Sequence, residues 1–430
     1  MKRRRLIILI SCFCLILPLS SPQCAEGLED LKDLLYDKYE IDAYGFLEAR
    51  GGLRLQEDPY EKSTSIGEMR LQTDLSRDFE RVELKIKFDL LGDTVLEEVD
   101  LDLRDLNLSF SPMDFMDLKV GRQVLTWGTG DLLFVADSFP KDWVSFFIGR
   151  DTEYLKAPSD AARVSLFFDL FNLDLVYIPK FNGSVYIDGS RLSYWNPLLG
   201  RIAGRDFIFH DRKPDDFGTD SEYALRLTKN IEGTELALYG YYGFWQTPEG
   251  VDPLTPVLIY PELSILSASI RDALFGGIGH LELGYYDSRD DDSGGNPNIR
   301  NSEFRFLVGF ERELSQDFTG GIQYYLEYMQ DYEEYEANLP QGMNKKDEYR
   351  HVLTLRLTKL QMNQNLTLSF FTYYSPSDAD GYLRPNLNYK INDEWTAEMG
   401  GNIFFGSDDH TFFGQFRKNT NAYASLRYSF

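Results

Sequence analysis

Val82-Glu83-Leu84-Lys85-Ile86-Lys87-Phe88-Asp89-Leu90 alternates an apolar with a charged residue at every step. Successive side chains of a strand point to opposite faces. The stretch therefore puts Val82, Leu84, Ile86, Phe88 and Leu90 on one side and four charges on the other. A single strand of this kind also suits a water-soluble sandwich, so repetition and length must decide. Phe304, Phe306, Val308 and Phe310 alternate with Glu303, Arg305, Gly309 and Glu311. Leu383, Leu387, Tyr389 and Ile391 alternate with Arg384, Asn386, Asn388 and Lys390, and Leu366, Leu368 and Phe370 with Thr367 and Ser369. Many such segments run to about 10 to 14 residues, and a tilted strand needs about 9 to 11 to cross a hydrocarbon core.

Segments of this period start near residues 41, 65, 81, 98, 116, 160, 172, 221, 234, 263, 277, 302, 318, 348, 364, 382, 394 and 420. Tight connections such as Asn230–Gly233 and Ser315–Asp317 alternate with long ones such as Thr126–Ser159 and Lys180–Asp220. This organisation predicts an all-β fold over 41–430, a transmembrane antiparallel barrel of about 18 strands (16 is possible) with short periplasmic turns and long extracellular loops. A change of phase over Leu103–Leu106 predicts a bulge. Ala422, Ala424, Leu426, Tyr428 and Phe430 share one face of the last segment, and this aromatic end resembles the assembly signal of Gram-negative outer-membrane barrels.

Composition agrees. The 430 residues carry 15% aromatics and a formal charge of −25, which leaves no basic footprint for nucleic acid. Mean hydropathy is −0.35, too low for a bundle of membrane helices. Lys2, Arg3, Arg4 and Arg5 precede an apolar run from Leu6 to Leu19, so residues 1–25 read as a signal peptide. Cys12, Cys14 and Cys24 all lie inside it, and the processed chain is expected to be thiol-free with a charge of −29. Leu28, Leu31, Leu34 and Leu35 then place one apolar stripe on a short periplasmic helix over 26–40.

Catalytic chemistry finds little material. His210, His280, His351 and His410 fall on separate strands and loops, and no zinc spacing or phosphate-binding glycine loop occurs in a suitable context. We expect no enzyme, no metal and no cofactor. The polar phases of the strands instead give about 14 acidic and about 16 basic residues, a nearly balanced inner wall. With about 18 strands a barrel is too wide for side chains alone to fill. Arg50, Arg54, Arg70, Lys85 and Lys87 cluster on the first three strands, with Arg104 and Lys119 next, and would favour anionic solutes.

The segment Lys119–Ser159 is the most distinctive. Gly121-Arg122-Gln123 at a strand end, then Trp127-Gly128 and a long loop, resembles a pattern of outer-membrane porins, including the alginate-export-like barrels. That resemblance implies an 18-stranded barrel. Arg122 falls on the lipid phase, which a bulge near Gly121 or a position above the hydrocarbon would relieve. Leu132, Leu133, Phe134, Val135, Trp143, Phe146 and Phe147 make the loop 126–159 too apolar to hang in water. It either folds into the bore as a constriction, or caps the rim or packs on a neighbouring protomer. In the first case Gln123, Asp131, Asp137, Lys141 and Asp142 line the pore, the charged four facing the basic ladder of the first strands. The reading is a passive channel for small hydrophilic solutes. Alternatives are a barrel for export or uptake of an acidic polysaccharide, a barrel sheathing a periplasmic partner, and a rim protease. The expected partners are outer-membrane lipid and lipopolysaccharide, the barrel-assembly machinery and a permeating hydrophilic solute. Whether copies associate stays open.

Overall fold

The structure is a computed structural model, and it describes residues 22–255 and 257–430. Eighteen strands close into one antiparallel barrel. They are β1 (Asp42–Arg54), β2 (Thr64–Phe79), β3 (Val82–Asp93), β4 (Glu98–Met113), β5 (Met116–Val124), β6 (Pro158–Phe167), β7 (Asn172–Ile178), β8 (Glu222–Ile231) and β9 (Thr234–Phe244). The second half comprises β10 (Glu262–Leu274), β11 (Gly277–Ser288), β12 (Glu303–Ser315), β13 (Phe318–Met329), β14 (Tyr349–Gln361), β15 (Leu366–Ser375), β16 (Asp380–Lys390), β17 (Trp395–Gly406) and β18 (Asn421–Ser429). Each pairs with its chain neighbour, and β18 returns to β1 with Arg50 opposite Ser425. Every strand starts within two residues of the position expected from the alternation.

The two faces are inverted relative to a soluble protein. Leu90, Leu101, Leu238, Ile322 and Leu266 point outward and are 44–69% exposed, whereas Glu68, Asp89 and Glu282 point inward and are at most 3% exposed. An apolar outer belt of this kind is costly in water, at about 25 cal/mol per Å², and is what a hydrocarbon surround requires. Aromatic rings mark both borders: Tyr177 and Tyr223 lie 5.3 Å apart at the long-loop end, Phe115 and Phe168 6.2 Å apart at the short-turn end.

The phase change in β4 is a bulge. Lys87 pairs with Asp105 and Phe88 with Leu103, so Arg104 is the extra residue and its side chain turns inward. The amino-terminal helix α1 spans Pro22–Tyr39, beginning before the expected 26. Its Leu31 and Leu34 are about half exposed, at 49% and 53%. Of the expected signal peptide, residues 1–21 lie outside the described residues.

Candidate pore lining and its inner segments

After β5 the chain turns into the barrel and follows the inner wall. A first lobe, Thr129–Val135, reaches β11 to β15. The backbone N–H groups of Thr129, Gly130 and Ala136 donate to the Glu282 carboxylate, the last two at 3.0 Å. Asp131 exchanges two 2.8 Å hydrogen bonds with Gln323 and pairs with Arg356, while Tyr373 Oη donates to Leu132 O at 2.7 Å. Among the described residues Glu282 is buried without a cation; three converging N–H donors and the Thr129 hydroxyl, at 2.8 Å, satisfy it instead.

A second arm contains the helix α2 (Trp143–Ile148). Asp142 Oδ1 accepts from Ser145 N at 2.7 Å as its N-cap, and Gly149 ends it with φ 93°. Phe146 and Phe147 pack edge-on against Tyr382 of β16, at 5.8 and 5.5 Å between ring centres. The arm then passes β1 to β4. Arg50 donates to Gly149 O at 2.6 Å and pairs with Asp151 at 2.9 Å, Lys87 meets Glu153 at 3.4 Å, and Gln72 donates to Tyr154 Oη at 2.8 Å. Arg70 and Arg104 stack over the Tyr154 ring, at 4.1 and 4.7 Å.

The loop charges singled out in the sequence do not meet the ladder of the first strands. Asp131 is held by Arg356 on β14. Asp137 pairs with Lys141 at 3.0 Å and accepts from Thr126, and both charges are buried. Burial pushes the Lys141 ammonium below its ordinary value, against the pull of Asp137. Asp142 caps α2 and lies 3.9 Å from Arg150 of the same loop. The residues that do meet the ladder are Asp151, Glu153 and Tyr154, at the other end of the same loop. Spacing along the chain says how long a loop is, not which strand it faces.

The ladder itself is largely neutralised. Arg50 binds Glu48 and Glu398 as well as Asp151; Arg70 binds Asp89; Lys85 lies 3.4 Å from Asp74. Arg54 and Arg104 donate mainly to backbone carbonyls. Lys119 stands directly opposite Arg163 across β5 and β6, and neither makes an ion pair among the described residues.

The motif of β5 has a local explanation. Gly121 has φ 120° and lies so close to β4 that an added Cβ would collide with Leu106 O. Arg122 points outward, donates to Leu103 O beside the bulge and lies 3.2 Å from Asp160. The bulge thus lies on β4 rather than at Gly121, and Arg122 caps the carbonyl beside it. Gln123 points inward, 1% exposed, and donates to Ala161 O at 3.1 Å. Trp127 packs on Phe139 at 4.9 Å, and Gly128 (φ 83°) lets the chain turn close to Glu282. Gly121→Ala should cost about 3 kcal/mol of barrel stability, from the backbone conformation alone; urea unfolding in detergent micelles measures it, and an unchanged midpoint would contradict that conformation.

A second inner segment, unread in the sequence beyond its length, is 182–209. Arg191 is 2% exposed and inserts between Glu68 and Asp93, while Arg54 donates to its carbonyl at 2.5 Å. Ser193 N donates to Asn419 at 3.1 Å, and Arg205 pairs with Glu61 at 3.2 Å. Burial raises the Glu61 carboxyl to about 7, although Arg54 and Arg205 pull the other way. Leu192 and Tyr194 join Phe146, Phe147, Phe413 and Phe416 in one apolar cluster. The one visible signal was Arg191 itself, the single basic residue between Lys180 and Arg201, and nothing in it names a partner.

At the seam, Phe430 and Gly45 exchange backbone hydrogen bonds of 3.0 and 3.1 Å, and Tyr428 packs on Trp395 at 5.2 Å. The four histidines stay apart: His280 contacts Gln323, His351 contacts Tyr324, and His410 faces Trp195.

No protein-family model and no curated protein sequence matches the chain. Solved structures do. Pseudomonas aeruginosa OccK11 (OpdR) matches over 91% of this chain and 96% of its own, with a TM-score of 0.51 at 13% identity. Acinetobacter baumannii OccAB3 matches over 91% and 99%, with a TM-score of 0.54 at 11% identity. Pseudomonas aeruginosa OccK3 (OpdO) matches over 90% and 96%, with a TM-score of 0.52 at 10% identity. At such identities the likeness is one of fold, that of a closed antiparallel β-barrel.

Proposed function

We propose that the protein is a passive outer-membrane channel for small hydrophilic solutes. The observation that carries this reading is the inversion of the two faces: an apolar belt outside, and inside it a wall of charged and hydroxylic side chains overlaid by two inward segments. The loop 126–159 is the constriction in this account. Its apolar residues shelter against the wall, and its backbone and charges are satisfied by inward side chains of β11 to β15 and β1 to β4. A solute crossing the barrel then meets polar groups that are already mutually paired, which suits diffusion rather than tight capture. No step needs a catalytic group, cofactor or metal. Processing at residue 25, insertion by the barrel-assembly machinery and contact with lipopolysaccharide complete the proposal. Purified protein in planar bilayers should give discrete conductance steps, and proteoliposomes should swell in small neutral sugars. Silent bilayers from a heat-modifiable, folded preparation would remove the channel reading. The resemblance to alginate-export-like barrels makes acidic oligosaccharides the next solutes to assay.

A further inference from the structure

Glu68 on β2 is 3% exposed and is shared by three arginines from three parts of the chain. Arg150, which follows α2 in the first inner segment, grips it in a fork, with Nη2 2.7 Å from Oε1 and Nε 3.1 Å from Oε2. Arg191 of the second inner segment lies 3.5 Å from Oε1, and Arg70 of the same strand 3.6 Å from Oε2. Each arginine has a second carboxylate of its own: Asp142 for Arg150 at 3.9 Å, Asp93 for Arg191, Asp89 for Arg70. Glu68 alone is common to all three among the described residues.

We propose that Glu68 is the positioning residue that holds both inner segments against the wall, so that one carboxylate sets where the two narrowings of the bore stand. This rests on the channel reading for its consequence, but not for its test. Without the Glu68 charge, three guanidiniums face one another across a small volume from which water is largely excluded, and their repulsion is relieved by the two segments that can move. β2 cannot move, because both its edges are paired in the barrel. The private carboxylates leave each arginine one opposite charge and the barrel folded, so the loss falls on loop position.

The test places one spin label on each segment, at Thr152→Cys or at Leu199→Cys. Both positions are exposed, and the processed chain is expected to hold no other thiol, which mass spectrometry verifies. In Glu68→Gln both labels should gain a mobile spectral component absent from the unmutated background. Arg150→Met should free the Thr152 label alone, and Arg191→Met the Leu199 label alone. Either label unmoved in a folded Glu68→Gln barrel overturns the proposal. If Glu68→Gln does not fold, the two arginine variants decide, and immobility of both labels overturns it equally. In bilayers the same Glu68→Gln barrel should add conductance substates. Absence of conductance in the unmutated protein would sink the channel reading while leaving the label result to judge Glu68.

Discussion

Excision of Thr129–Val135, with Gly128 joined to Ala136 through two glycines, should raise single-channel conductance about twofold or more and shift selectivity toward anions. The joint is short, because a Cβ on Gly128 would stand 3.6 Å from that of Ala136. The lobe crosses to Glu282, Gln323, Arg356 and Tyr373, so its removal clears one side of the bore and leaves β5 and α2 in place. Arg356 loses its Asp131 partner, and the wall gains one uncompensated positive charge. Conductance and reversal potential in a salt gradient check both effects. Unchanged values in a folded deletion would place the lobe away from the current path and remove the constriction from the account.

The second large effect is expected at the seam. Removal of Phe430 should abolish most of the folded, heat-modifiable species, whereas Phe430→Ala should keep a larger share. The deletion loses both backbone hydrogen bonds to Gly45, each worth about 1 kcal/mol, together with the ring, while the substitution loses only the ring. The ring leans on Gly45, where an added Cβ would come within 2.7 Å of it. Migration of unboiled against boiled samples separates the species. Equal yields from the deletion and the unmutated chain would show that the seam does not depend on this residue.

Sequence periodicity carried most of the fold because the two solvents of a membrane barrel write opposite instructions on alternate residues. That is why the strand starts, a bulge over Leu103–Leu106 and the outward position of Arg122 could all be read from the chain. The apolar content of 126–159 likewise pointed to a sheltered loop. Its ion pairs could not be read, since Asp131 lies 225 positions from Arg356 and no local pattern links them. Arg150, Asp151 and Glu153 went unnoticed for the same reason, and so did Arg191. The basic cluster of the first strands looked like a free ladder because sequence counts charges but not their partners: Glu398, which neutralises Arg50, is 348 positions away.

Seventeen of the eighteen strand pairings join neighbours along the chain, and the last joins Arg50 to Ser425. The seventeen cost little in loop closure, whereas a link across 375 positions costs about 5 kcal/mol of chain entropy before any contact repays it. During assembly a sheet built from neighbouring strands is therefore a ribbon with two open edges, each a template for aggregation until the ring is shut. Under a pulling force the order reverses. Once the seam between β1 and β18 parts, the wall should peel away one hairpin at a time, giving a sawtooth of similar extensions rather than a single rupture.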